Sequence, residues 1–349
     1  MAAVEELITD HIDIWTSAIK YKSTAGRGGG NKIELYGVNK LRELILDLAV
    51  RGLLVPQDPN DVPASELLDR INTKKIALLK EGKIKKQKSL PPIDENEKPF
   101  KLPKGWEWAR LGDVTNYGLL EKIEPDDALP KTWVLELEDI EKVSSKVLKK
   151  VRIENREFRS SKNIFYKGDV IYGKLRPYLD KVVIADENGV CTTEMIPIKS
   201  YACITSGFLK LSMKSSYFKR YANNSTHGMN LPRLGVDKAR LALLPVMSES
   251  EQNKVVAKVN ELMALCDQLE HHTEVSIAAH QTLVETLLNA LTENAASSAT
   301  QTERQEDSAA LDNQFEQAWQ RISEHFDVLF TTDNSIEKLK CSATINLSG

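Results

Sequence analysis

PVMSESEQNKVVAKVNELMALCDQLEHHTEVSIAAHQTLVETLLNALTE (245–293) contains neither glycine nor proline after Pro245. Ser248 and Glu251 stand at capping-box spacing, so a helix can begin there with its first free N–H groups satisfied. Val255, Val259, Leu262, Cys266 and Leu269 recur at steps of four and three. The register continues through Thr273, Ser276 and His280 to Leu283 and Leu287, a heptad seam that is apolar at both ends and polar in the middle. A helix of about 45 residues is roughly 65 Å long at 1.5 Å per residue. So long an amphipathic rod cannot bury its stripe alone and needs a second helix, from this chain or another. Val255, Val259, Leu262, Cys266, Leu269, Leu283 and Leu287 are therefore the expected helix-pairing residues.

Working outward, the texture from about residue 100 to 245 is that of strands and turns. WEWARLGDV (106–114), TWVLELEDI (132–140), NIFYKGDVIYGKL (163–175), KVVIADENGV (181–190) and FLKLSMK (208–214) alternate or carry β-branched and aromatic residues between Gly, Asn and Pro. Helical pieces are expected near 215–223 and 234–242. Upstream, Val38, Leu41, Ile45 and Leu48 mark a helix that Arg51-Gly52 stops. Pro63 opens a second, with Leu67, Leu68, Ile71, Ile76 and Leu79 on its apolar face. EGKIKKQKSLPPIDENEKP (81–99) is charged and proline-broken and reads as a linker. GRGGGNK (26–32) lacks the Gly-Lys-Ser/Thr of a phosphate loop and reads as a flexible connection. The expected fold class is α+β: one mixed, mostly β domain with long coiled-coil-type spacer helices. The expected order is an N-terminal arm (1–35), a helical segment and linker (36–100), the β domain (101–247), the long helix (248–295), and a tail (296–349) with an amphipathic helix at 312–330. ITDHIDIWT (8–16) matches ISEHFDVLFT (322–331), and VNKLR (38–42) resembles IEKLK (336–340), so the tail restarts what the N-terminus began.

Several classes are excluded by what is missing. The N-terminus is acidic and lacks an apolar run, and no window approaches 18 apolar residues, so neither a signal peptide nor a membrane helix is expected. The four cysteines show no Cys-x-x-Cys spacing and read as reduced thiols of a cytoplasmic protein. Pro91-Pro92 is flanked by Leu90 and Ile93, not by the Asn/Asp and aromatic residue of an adenine methyltransferase loop. There is no Walker motif, and the six histidines do not pair at metal spacing. Asp126, Asp127, Glu136 and Glu138 lie in an acidic stretch, but no Glu-x-Lys follows in register as a metal nuclease would need. No cofactor is expected.

Charge points toward nucleic acid. Residues 140–240 hold 20 Lys and Arg against 9 Asp and Glu, whereas 293–337 hold 2 against 10. A basic block of that size is the electrostatic footprint of a polyanion binder. GDVIYGKLRPYLDKV (168–182) places Lys174 and Arg176 at a strand exit, with Tyr178 and Lys181 beyond the Pro177 turn; two long cations beside an aromatic can grip phosphate or reach a base edge. KKVRIENREFRSSKN (149–163) adds Lys150, Arg156, Arg159 and Lys162. NNSTHGMNLPRLGVDKAR (223–240) adds amides with Arg233 and Lys238. These ten residues are the expected DNA contacts, and which of them read bases and which hold phosphate is left open.

The same residues carry a resemblance. LPKGWEWARLGDV (102–114) opens a target-recognition domain as in the specificity (S) subunits of type I restriction–modification enzymes. KLRELILDLAVRGLLVPQDPNDVPASELLDRI (40–71) resembles their repeated conserved segment, GDVIYGKLRPYLDKV (168–182) their domain-internal motif, and LPVMSESEQNKVVAKVNELMALCDQLE (244–270) the start of their spacer helix. The resemblance implies a non-catalytic subunit. One recognition domain would read half of a split target in double-stranded DNA, and the helices would dock methyltransferase (M) subunits that bring S-adenosylmethionine chemistry. Restriction (R) subunits would add ATP-driven translocation and cutting. The usual S subunit has two recognition domains and this chain has room for one. The restarted repeat suggests the first half of a two-domain protein, ended by a stop, a frameshift or the choice of boundary, and a homodimer through the spacer helix would rebuild the missing half. A stand-alone DNA-modifying enzyme or nuclease with an unfamiliar site, and a decoy that binds M subunits without reading DNA, are the alternatives.

Overall fold

The computed structural model describes residues 10–21, 33–228, 230–300, 320 and 323–324. The glycine stretch at 26–32 and the repeat restart at 322–340 fall largely outside them, as does the helix expected at 312–330. The chain divides into two compact units, Met1–Cys266 and Asp267–Gly349.

The first unit begins with α1 (Ile12–Ser17) and a two-stranded ribbon, β1 (Lys20–Tyr21) against β2 (Ile33–Glu34). Helix α2 (Tyr36–Val50) buries Val38, Leu41 and Ile45 on one face, at steps of three and four. It stops at Gly52, whose φ of +71° and whose missing Cβ, which would lie 2.4 Å from the Pro103 ring, both require glycine. Pro63 caps α3 (Ala64–Lys80), which buries Leu67 and Ile71 but leaves Ile76 exposed.

Three short sheets follow from β3 (Glu107–Arg110), the single turn α4 (Leu111–Val114), β4 (Lys122–Ile123), β5 (Trp133–Leu135), β6 (Val151–Arg152), β7 (Lys162–Phe165), β8 (Val170–Gly173), β9 (Val182–Ile184), β10 (Gly189–Cys191) and β11 (Met195–Ile198). The order β4-β7-β10-β5-β6 makes a five-stranded sheet with one parallel pair, β10 on β5, and β11-β8-β9 makes an antiparallel three-stranded sheet. The three-stranded sheet is buried on both faces, which is why its strand VIYG (170–173) shows no apolar–polar alternation. Val170, Tyr172, Val182, Ile196 and Ile198 point into a core shared with α3. Their neighbours Ile171, Val183 and Met195 point the other way, into a core with Trp133, Leu135 and Phe165 of the five-stranded sheet.

The stretch 208–214, expected as a strand, is instead the end of helix α5 (Ser206–Lys214), started by Thr205, whose hydroxyl accepts from the Phe208 N–H at 3.2 Å. Phe208, Leu209, Leu211, Ser212 and Met213 are all buried, so the apolar pattern is not confined to one helical face and mimics alternation. Next come α6 (Ser216–Asn224), the hairpin β12 (Thr226–His227) with β13 (Arg233–Leu234), α7 (Val236–Leu241), and β14 (Leu243–Val246), which returns to pair with β3. The charged stretch 81–99 is strapped onto this body. Arg110 donates to the Pro92 carbonyl at 3.0 Å and to Glu97 at 3.1 Å, and Arg240 donates to the Lys88 carbonyl at 2.9 Å.

Helix α8 (Glu249–Thr300) starts where the capping spacing places it: Ser248 Oγ accepts from the Glu251 N–H at 3.0 Å. The reciprocal half of the box is absent. The Glu251 carboxylate instead accepts from Trp106 Nε1 at 2.9 Å, and Gln252 bridges the Thr205 N–H and the Cys203 carbonyl at 2.8 Å each. Val255, Val259, Leu262 and Cys266 are buried and Leu269 is half-buried, in the expected register. Beyond them the stripe drifts. Thr273 and His280 stay half-buried on the expected register, but Ser276 and Leu283 are exposed, Ile277 is half-buried, and Val284 and Leu288 are the buried positions; the Leu287 side chain lies outside the described residues. Residues 255, 266, 277 and 288 thus recur every eleven residues. An α-helix at 3.6 residues per turn slips by about 20° per heptad against a 3.5 repeat, so about four heptads displace the stripe by nearly one residue. Among the described residues no helix is long and apolar enough to cross a membrane.

Candidate nucleic-acid interface

Three loops that are distant in sequence meet at one place. The central one, Lys174–Lys181, leaves β8, takes Arg176 into the left-handed region (φ +51°), makes a 3-10 turn at Pro177–Leu179, and takes Asp180 left-handed again (φ +52°). Lys174 and Arg176 therefore both lie beyond the strand, which ends at Gly173, and do not share one of its faces. On one side the β12–β13 hairpin is stitched to this loop: the Arg176 N–H donates to the Pro232 carbonyl at 2.7 Å, and the Leu234 N–H to the Lys174 carbonyl at 3.0 Å. On the other side, the turn at 141–146 donates from the Val143 N–H to the Leu179 carbonyl at 3.0 Å and from Ser145 Oγ to the Asp180 carbonyl at 2.7 Å. The structure thus joins the motif 168–182 to the amide-rich segment 223–240, which the sequence shows only as separate patches.

The ten expected DNA contacts fall into two classes. Arg159, Arg176, Tyr178 and Lys238 are exposed and Lys174 is half-buried. None of these five side chains has a hydrogen bond or ion pair among the described residues. The other five are committed to partners within the protein, Lys150 at the surface and the rest half-buried or buried. Lys162 is only 7% exposed and its ammonium donates to Glu136 at 2.6 Å. Arg156 clamps the fully buried Asp139 carboxylate through both terminal nitrogens and also reaches Glu138 at 3.1 Å. Lys150 pairs with Asp186 at 2.6 Å and lies over the Trp133 ring, Lys181 donates to the Leu137 carbonyl at 2.6 Å, and Arg233 holds Glu194 through Nε at 3.0–3.1 Å. These cations join segments distant in sequence, whether buried, as Lys162 is, or at the surface, as Lys150 is. Their carboxylate partners lie 17 to 39 residues away, so spacing alone could not reveal them.

Electrostatics beneath the loops follow from burial. Asp139 sits where desolvation alone would raise its carboxyl, but the Arg156 bonds and the Glu136 N–H pull it below the usual carboxylate range. Burial pushes the Asp180 carboxyl up and the Lys214 ammonium down, each opposed by the other's charge. Burial likewise pushes Glu251 up against the pull of Trp106 and Gln57. Lys214 and Asp180 had no signal in the sequence: Lys214 lies in a stretch read as a strand, and the pair spans 34 residues.

Exposed beside these cations are apolar groups that a solvated surface does not need. Tyr178 is 54% exposed, Val143 58% and Leu231 42%, one on each of the three loops. Cations with an aromatic and small apolar tips can neutralise phosphates and meet thymine methyls or base faces in a groove. Among the described residues no three His, Cys, Asp or Glu side chains are placed to hold a metal ion.

No family model matches the chain. The EcoAI and EcoEI type I restriction enzyme specificity subunits of Escherichia coli are 40% and 41% identical to it, each over 97% of this chain and over 56% and 55% of their own lengths. The EcoDI specificity subunit of the same species is 27% identical over 72% of this chain. Among solved structures, the HsdS subunit of Thermoanaerobacter tengcongensis aligns with a TM-score of 0.47 and 24% identity, over 56% of this chain and 52% of that one. The chain spans about half the length of the curated relatives it matches. Two residues in five are thus shared, along almost the whole of this chain, with specificity subunits of type I restriction enzymes.

Proposed function

We propose that this chain is the non-catalytic DNA-reading component of a type I restriction–modification enzyme. The observation that carries the reading is the match, over 97% of the chain, to proteins named as specificity subunits. The loop cluster agrees with it: Arg176 and Lys174 supply phosphate or base-edge contacts and Tyr178 meets the bases, while Lys238 on α7 and Arg159 before β7 are further exposed cations for phosphate. Arg156, Lys162, Lys181 and Arg233 brace this part of the domain through their internal partners, and Lys150 is held at the surface by Asp186. The domain reads one half of a bipartite target in double-stranded DNA. The helices of the N-terminal segment and α8 dock methyltransferase subunits, and restriction subunits join that assembly. A second copy of the chain, paired through α8, presents the other half-site, so the target is an inverted repeat whose gap is set by the length of α8. The work takes place in the cytoplasm, where the DNA is.

The experiment is to co-purify the chain with the methyltransferase subunit of its own system, weigh the complex, and map the methylated bases. A split, palindromic target methylated by a complex holding two copies of this chain is expected. Methylation without sequence preference, or cleavage or methylation of DNA by this chain alone with Mg²⁺ or S-adenosylmethionine, overturns the reading.

A further inference from the structure

Behind the exposed tips lies a buried polar hub. Val143, Ser145, Arg176 and Asp180 have φ values of +68°, +59°, +51° and +52°, and they are four of the five non-glycine residues with positive φ among those described. For a β-branched residue such as Val143 this conformation is an outlier. All four sit in the two turns, 141–146 and 174–181, that carry Val143 and Tyr178 outward. Strained turns persist only where their surroundings over-determine them, and they gather at working sites.

One ammonium does most of the over-determining here. Lys214, the last residue of α5, is 11% exposed. Its Nζ donates to the Val143 carbonyl at 2.7 Å, to Ser145 Oγ at 2.8 Å, and to Asp180 through Oδ2 at 3.1 Å and the carbonyl at 3.3 Å. Three of the four strained residues therefore share a single cation. Lys219 adds a second at 3.5 Å from the same Asp180 carboxylate. Ser145 Oγ completes the hub by accepting from the Val182 N–H at 3.1 Å, tying both turns to β9.

We propose that Lys214 is a positioning residue for sequence discrimination: from behind the interface it locks the two strained turns into one mutual arrangement, so that Arg176 and Tyr178 meet the bases in a fixed geometry. The proposal rests on the DNA-reading role given above. Base readout needs donors and apolar groups held in register with the groove, whereas attraction to phosphate tolerates loose loops. Losing Lys214 therefore costs discrimination and spares non-specific binding.

The test uses the complex of the chain with its methyltransferase subunit and a random-sequence duplex library, from which the wild-type complex enriches a motif. The variants are Lys214→Met and the charge-neutral pair Lys214→Met with Asp180→Asn, which leaves no lone buried carboxylate. In both, the ratio of motif affinity to random-duplex affinity falls by about tenfold or more, the loss expected when one or two base pairs stop being read. Random-duplex affinity and its salt slope stay as in the wild type, and both variants still melt in one transition, lowered further in Lys214→Met, which strands the Asp180 carboxylate, than in the charge-neutral pair. A variant that keeps the wild-type ratio overturns the proposal. So does a salt slope lowered by about one, which makes Lys214 a phosphate contact, or loss of the thermal transition in both variants, which makes it an ordinary fold determinant. A wild-type complex that enriches no motif defeats the DNA reading itself, and this proposal with it; a motif kept by the variants defeats this proposal alone.

Discussion

Arg156→Ala separates a cation that holds the fold from one that holds DNA. The guanidinium grips the fully buried Asp139 carboxylate with two nitrogens, and the other groups near that carboxylate are the Glu136 N–H at 2.9 Å and Lys149 at 3.7 Å, itself 58% exposed. Removing one partner of a buried pair costs about 3–5 kcal/mol. Because the Glu136 bond and part of the Lys149 charge remain, we expect roughly 2–4 kcal/mol, with charge-assisted hydrogen bonds the larger part. At 2–4 °C per kcal/mol for a body of this size, the melting temperature falls by roughly 5–15 °C. The pH dependence carries a second signature. In the wild type the Asp139 carboxyl is held below its usual value, so its stabilising contribution is present above the unfolded value, about 3.9, and is lost as pH falls through the folded one. In the variant burial acts nearly alone and raises that carboxyl, so the penalty is greatest at neutral pH and eases as acid neutralises it. Thermal melts of both proteins from pH 7 down to the acid limit of folding measure this. An unchanged melting temperature with weakened DNA binding would place Arg156 in the interface and refute the reasoning; a gap between the two proteins that does not narrow toward low pH would refute its electrostatic part.

Lys174→Ala with Arg176→Ala should do the reverse: the thermal transition stays, DNA binding weakens, and the slope of log affinity against log salt falls by about one to two. A double variant with wild-type affinity and slope removes both residues from the contacts. Glu251→Gln keeps an acceptor for Trp106 and discards a charge whose carboxyl burial has raised, so the ionised form costs stability as pH climbs through that raised value. Urea melts should show the variant gaining on the wild type between pH 4 and pH 7, and a constant difference counts against it. Deleting seven residues of α8 within 267–280 shortens the rod by about 10 Å, and at 3.4 Å per base pair the gap between half-sites contracts by about three base pairs. Methylation mapping that returns the original gap disposes of the ruler.

Local chemistry made much of this molecule readable. Ser248 and the glycine-free run behind it mark α8, Pro63 and Gly52 punctuate α3 and α2, and the β-branched and aromatic residues around Ile171 mark a strand. The failures share a cause. FLKLSMK is buried on too many sides for its period to be read, so its helix looked like a strand. The stripe of α8 follows the true helical repeat, so the inward position passes from Leu283 to Val284. Lys162 and Arg156 look like free cations until Glu136 and Asp139 arrive from the 3-10 turn that follows β5.

Taken alone, the order of residues determined that the chain is α+β, where the long helix starts, that a basic block occupies its middle, and which family its motifs resemble. Those features rest on spacing over a few residues or on charge summed over a segment, and both survive without coordinates. Only the tertiary structure decided which of those cations remain free, which are consumed by buried carboxylates, and that Lys214 gathers two strained turns from 34 and 71 residues away. Ion pairing and hydrogen bonding act over a few ångströms of space whatever the separation along the chain, so the assignment of partners exists only once the sheets have closed.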